Sequence, residues 1–141
     1  MLRKIVIGCT LAAAIVVVVG LVFYMRFWPK VQRQNAALLA YAVEEALVEF
    51  HSEKSAYPAG SGAEVVAALL GKNPTQKSYL RPEFRHFLND DGQVLDPWKN
   101  LFRFEKQPES GGFKLVSAGP NGTFGDEDDL GSAQAQAAAS D

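Results

Sequence analysis

Hydrophobic and polar positions change regime along the chain. From Ile5 to Met25 no side chain is charged. The stretch covers about 21 residues, roughly 31 Å of helix, against a bilayer hydrocarbon core of roughly 30 Å. Lipid offers the backbone no hydrogen-bond partner, so helix is the expected conformation despite the Val16–Val19 run, whose helix propensity in water is modest. Phe23, Tyr24, Phe27 and Trp28 gather at its far end as an interfacial aromatic belt. Pro29 follows, where a helix would kink or restart.

Beyond Pro29 the period becomes that of an amphipathic helix. Ala36, Leu39, Val43, Ala46 and Phe50 recur at alternating intervals of 3 and 4, with Leu47 beside them, to about His51. Glu44, Glu45 and Glu49 lie off that face. Leu38, Tyr41 and Val48 form a thinner second stripe. It reads as part of one broad core face; the alternative is that it meets neighbouring subunits. Tyr57-Pro-Ala-Gly-Ser-Gly62 breaks the pattern. Ala63–Leu70 is a short helix, with Glu64 favourably placed near its N-terminus, and Gly71-Lys-Asn-Pro74 stops it. A helical turn is expected near Pro82–Leu88 and a tight turn at Asn89-Asp-Asp-Gly92. Alternation at Leu101–Glu105, with Phe102 and Phe104 on one face, and at Phe113–Val116, with Phe113 and Leu115, around the loop Gln107–Gly112, predicts a hairpin.

Composition and charge narrow the reading. The chain has 141 residues and a formal charge of −2, enough for one compact domain and without the basic excess of a nucleic-acid binder. The polar, alanine-rich stretch 132–141 has too little apolar bulk to offset ordering entropy and is expected to be disordered. Cys9 is the sole cysteine, so no intrachain disulfide exists. Val6-Ile7-Gly8-Cys9 resembles a lipidation box, but only Ile5, Val6 and Ile7 precede the cysteine as a hydrophobic region, and Cys9 reads as a small buried hydrophobe. The apolar core runs straight into Phe-Tyr-Met-Arg-Phe-Trp rather than small residues, which argues against a cleaved secretory signal. Arg3 and Lys4 flank one end, Arg26, Lys30 and Arg33 the other, so charge leaves the orientation tied. No catalytic set can be assembled: His51 and His86 are far apart in sequence and lack partners at metal spacing, and no glycine-rich phosphate loop is present. The chain is expected not to be an enzyme.

The long N-terminal helix, then Tyr57-Pro58, Leu95-Asp-Pro-Trp-Lys-Asn-Leu-Phe-Arg-Phe104, and Phe113-Lys-Leu-Val-Ser-Ala-Gly-Pro-Asn-Gly-Thr-Phe-Gly-Asp-Glu-Asp-Asp-Leu130 occur in that order. Together they resemble the major pseudopilins of type II secretion (protein G) and related type IV pilin-like proteins. The resemblance implies an α+β fold: a long N-terminal helix, transmembrane in its first half, packed on a small antiparallel sheet with a calcium-type C-terminal loop. It implies a transmembrane segment at 1–29, an extracytoplasmic domain at 30–131 and a tail at 132–141. It also implies a bacterial inner-membrane location, with the N-terminus cytoplasmic and the domain periplasmic. The sequence departs from the family's pattern in three places. The usual prepilin cleavage motif is missing, no glutamate stands in the apolar helix, and Lys99 replaces the usual glycine after Trp98.

Read alone, the acidic segment after Ser117 is a solvated turn, since its spacing is not that of an EF-hand. The resemblance turns it into a structural Ca²⁺ site. By position it implicates Asn121, Asp128 and Asp129, with carbonyls near Leu115 and Ser117, and with Asp126 offsetting the charge that Asn121 lacks; hard Ca²⁺ takes such oxygen ligands. Two functions follow. One is a pilin-like subunit or accessory of a secretion or pilus apparatus, associating with itself and other pseudopilin-like subunits through the N-terminal helix, where Gly8, Ala12, Ala13, Ala14 and Gly20 allow close packing in membrane lipid. The other is a membrane-anchored, pilin-derived calcium-binding interaction domain that does not polymerise. Asp96-Pro97-Trp98 is expected to turn Trp98 into the core.

Overall fold

The computed structural model describes residues 2–133, with side chains from Ala14 onward. The expectations for Cys9, Gly8, Ala12, Ala13 and residues 134–141 lie outside what it describes. Backbone contacts divide the chain into two units, one ending at Gln32 and one beginning at Arg33. Helix α1, Leu2–Lys54, contributes to both. Pro29 does not restart it: the missing N–H removes one rung of the hydrogen-bond ladder, but the helix assignment continues through. Among the described residues α1 is the one helix long and apolar enough to cross a membrane. In the first unit Phe23 stacks on Phe27 with ring centroids 4.3 Å apart, and Tyr24 on Trp28 at 5.3 Å. The aromatic belt is thus two stacked i, i+4 pairs, all exposed.

The second unit is an α+β domain built on the C-terminal half of α1. Ala36, Leu39, Val43, Ala46, Leu47 and Phe50 are buried, as the periodicity predicts, and Ala37 and Ala40 join them. They pack against Val65, Val66 and Leu69 of α2 (Gly62–Leu69), with Leu80, Phe84, Val94, Phe102, Leu115 and Leu130 completing the core. The second stripe corrects the broad-face reading: Leu38 is 48%, Tyr41 38% and Val48 62% exposed. At 100° per residue these positions lie roughly 140–160° around the helix from Val43, too far to share one buried face.

Local signals set the remaining elements. Ser61 caps α2 with its hydroxyl toward the Glu64 N–H, while Glu64 accepts from the Ser61 N–H at 2.7 Å, a complete capping box. That backbone hydrogen bond, with one from the Ser61 hydroxyl, holds the Glu64 carboxyl below the usual carboxylate range. Pro82–Phe87 forms a 3-10 helix, and the Asn89–Gly92 turn closes with Gly92 N–H donating to the Asn89 carbonyl at 3.0 Å. The sheet is one antiparallel pair, β1 (Arg103–Lys106) and β2 (Phe113–Val116), in register Arg103↔Val116 to Lys106↔Phe113. β1 begins two residues later than the alternation suggests because the preceding residues pair elsewhere: Leu101 bridges Leu95, and Phe102 N–H donates to the Val94 carbonyl at 3.0 Å.

Candidate functional site

The C-terminal loop springs from the end of β2. Ser117 and Leu130 exchange backbone hydrogen bonds at 2.8 and 2.9 Å, closing the loop at its base. Inside it Asn121 Oδ1 accepts from the Thr123 N–H at 2.7 Å, and the Asn121 side-chain amide donates to Asp126 Oδ2 at 2.8 Å. Asp126 Oδ1 accepts from the Asp128 N–H at 3.0 Å. Asp129 Oδ2 accepts from the Gly125 N–H at 2.8 Å, whereas its Oδ1 is buried with no hydrogen-bond partner. Gly119 has φ +65, and a Cβ there would stand 2.6 Å from the Asp128 carbonyl oxygen, so the loop folds back on itself at a position only glycine fills.

Six residues were implicated by the resemblance, and the loop gathers five of them: Ser117, Asn121, Asp126, Asp128 and Asp129. Leu115 stands on β2, its N–H engaged by Glu44 Oε1 at 2.8 Å. Among the described residues no three His, Cys, Asp or Glu side chains converge as a metal cluster. Any cation here would meet the mixed carboxylate, amide and carbonyl oxygens of these residues, and the buried Asp129 Oδ1 is the oxygen without a hydrogen-bond partner, a costly state unless something positive or protic meets it. Oxygen donors of this kind are those a hard ion takes.

The loop is tied to the turn before β1. Asp96 is 2% exposed. Its Oδ1 accepts from the N–H groups of Trp98 (2.9 Å) and Asn100 (2.8 Å), and its Oδ2 from the Ser117 hydroxyl at 2.7 Å. Trp98 packs half-buried against the core, as the turn was expected to deliver it. Lys99, where the family usually has glycine, adopts φ +73, which accounts for that preference.

Sequence reasoning missed three of these features. Glu44, which lies off the apolar face with Glu45 and Glu49, is half-buried and accepts from the Leu115 N–H on β2. Its i−4 and i+3 neighbours, Ala40 and Leu47, are both core residues, a signal legible in the sequence. Asp96 and Asn100 carried no signal beyond the turn itself. A third feature, an exposed clamp, joins distant segments. Lys77 pairs with Glu49 at 3.0 Å and with Glu53, lies over the Tyr79 ring, and Tyr79 donates its hydroxyl proton to Glu53 at 2.8 Å. The hydrogen bond from Lys77, and next that from Tyr79, hold the Glu53 carboxyl below the usual range, while its two carboxylate partners raise the Lys77 ammonium above its ordinary value. His51 stacks on Tyr57 at 4.4 Å between ring centroids, a packing role for both.

Comparison with known proteins identifies the family. The sequence pattern of type II secretion system protein G matches residues 25–134. The type II secretion system core protein G of Escherichia coli (strain K12) is 29% identical over 106 residues, covering 72% of this chain and 67% of that protein. The crystal structure of the major pseudopilin from the type 2 secretion system of enterohaemorrhagic Escherichia coli aligns at TM-score 0.47 and 23% identity, covering 76% of this chain and 87% of that one. The family pattern covers most of the chain and spans every element of the second unit, so this protein belongs to the type II secretion system protein G family.

Proposed function

We propose that the chain is a non-enzymatic pseudopilin-like subunit or accessory of a type II secretion or type IV pilus-like apparatus. In this reading α1 anchors it in a bacterial inner membrane, with the N-terminus cytoplasmic and the domain periplasmic, and it associates with like subunits along that helix. The observation that carries the reading is the exposed stripe Leu38, Tyr41 and Val48 on α1, apolar surface left uncovered by the chain's own core. Membership of the protein G family supports the same conclusion. Mass spectrometry of the protein purified from membranes tests the assembly route: a mature chain beginning within the apolar helix supports prepilin-type processing, and a chain retaining Leu2 counts against it.

A second reading, an anchored domain that does not polymerise, is favoured by one observation. No acidic residue stands between Ile5 and Met25, where the family's helix carries a glutamate. In either case the C-terminal loop is read as a structural Ca²⁺ site held by Asn121, Asp126, Asp128 and Asp129 with the carbonyls of Leu115 and Ser117. The orphaned Asp129 Oδ1 supports this. The ion would couple the loop's folding to metal. Calorimetry on the full chain in detergent should register heat on adding millimolar Ca²⁺ and a rise in Tm; the absence of both would sink the metal reading.

A further inference from the structure

Gly119 is gripped at both of its peptide groups. Its N–H donates to the Ser117 hydroxyl oxygen at 3.1 Å, and that hydroxyl donates in turn to Asp96 Oδ2. Its carbonyl accepts from the Asn100 side-chain amide at 2.9 Å, and the Gly122 N–H reaches the same oxygen. The Asn100 amide lies directly beneath Gly122, since a Cβ at that glycine would stand 3.1 Å from Asn100 Oδ1. Both grips originate in one short turn, because Asp96 Oδ1 also accepts from the Asn100 N–H. Asp96 is buried with three protic donors and no cation within its hydrogen-bonded set, an arrangement stable only while all three stay in place.

We propose that Asp96 and Asn100 are positioning residues for the C-terminal loop, fixing Gly119 so that the loop's oxygen donors are arranged before any cation arrives. The part of this concerning cation affinity rests on the calcium reading above; the part concerning loop order does not. A loop pinned near its root loses fewer conformations when an ion binds, so the pin raises affinity without contributing a ligand. Neither Asp96 nor Asn100 belongs to the ligand set. Asn100 reaches the donors through Gly119, and Asp96 through the Ser117 hydroxyl and the Gly119 N–H it holds.

Asn100→Ala removes one grip and leaves the buried Asp96 carboxylate with its own donors. Ser117→Ala removes the other and keeps the Ser117 carbonyl. Hydrogen exchange on the metal-free full chain in detergent should show amides of residues 119–130 exchanging roughly tenfold faster in Asn100→Ala, the effect of one part-buried hydrogen bond. Peptides from α2 should change less than about twofold. Loop exchange equal to that of the wild type, or acceleration spread equally over α2 and the strands, would overturn the proposal. A Ca²⁺ titration of Asn100→Ala, which leaves all three Asp96 donors in place, separates the two claims. Weaker binding at an unchanged metal-free Tm supports positioning, while no binding by the wild type removes the calcium reading and leaves the exchange result to decide loop order.

Discussion

Glu44 offers a quantitative test of how helix α1 and the sheet are joined. Its Oε1 accepts the Leu115 N–H at 2.8 Å, and Leu115 is fully buried. Glu44→Ala leaves that N–H without a partner on a strand that has none on that side. A buried donor left unpaired costs about 1–3 kcal/mol. Glu44 is only half-buried, so water can partly replace the carboxylate, and the lower part of the range, about 1–2 kcal/mol, applies. For a domain of this size each kcal/mol moves Tm by roughly 4–8 °C, giving a loss of about 5–15 °C. Thermal melting of the full chain in detergent, followed by Trp98 fluorescence in a Trp28→Phe background, reads the domain alone. Glu44→Gln keeps an acceptor oxygen and should lose less than half as much. If Glu44→Ala melts within about 2 °C of the wild type, or if Glu44→Gln falls as far, the carboxylate is not what secures the β2 edge.

Lys99 stands at φ +73, where a side chain costs roughly 1 kcal/mol, so Lys99→Gly should raise Tm by a few degrees after the glycine's own entropic cost is deducted; an unchanged or lower Tm by calorimetry would refute strain there. The Lys77 clamp makes stability depend on pH at both extremes. Glu53 is depressed, so its share is present above the unfolded carboxylate value and lost as pH falls through the folded one; Lys77 is raised, so its share is present below the unfolded lysine value and lost as pH rises through the folded one. The Tm difference between wild type and Lys77→Met should therefore be steady near neutrality and shrink below about pH 4. Asn121→Asp replaces the amide that donates to Asp126 with a second carboxylate, so it should lower the metal-free Tm and tighten Ca²⁺ binding, as measured by calorimetry with and without chelator.

The helices and the hairpin were legible because periodicity reports burial directly. The stripe from Ala36 to Phe50 and the alternation in β2 both face the core that their spacing predicts. What was not legible depended on the third dimension. The second α1 stripe has helical spacing yet faces outward, because spacing fixes which residues share a face and not which face is covered. Spacing sets Glu44 off the core face but does not show that it borders buried Ala40 and Leu47 and reaches the Leu115 N–H. β1 starts late because Leu101 and Phe102 pair with residues 94 and 95, a competition invisible to local alternation. In the loop, sequence supplied the oxygen-bearing residues. It did not supply the Asn121–Asp126 bond, the solitary Asp129 oxygen or the grip on Gly119, all of which depend on backbone conformation at the glycines.

In the proposed function, α1 carries this domain into an assembly through its exposed face. Single cysteines at Leu38, Tyr41 and Val48, placed in a Cys9→Ala background and cross-linked in native membranes, test it directly, with exposed Thr123 as a control position. Homotypic multimers are expected from the three helix positions and none from Thr123. Monomer alone from all three, in protein that is folded and membrane-inserted, would contradict it.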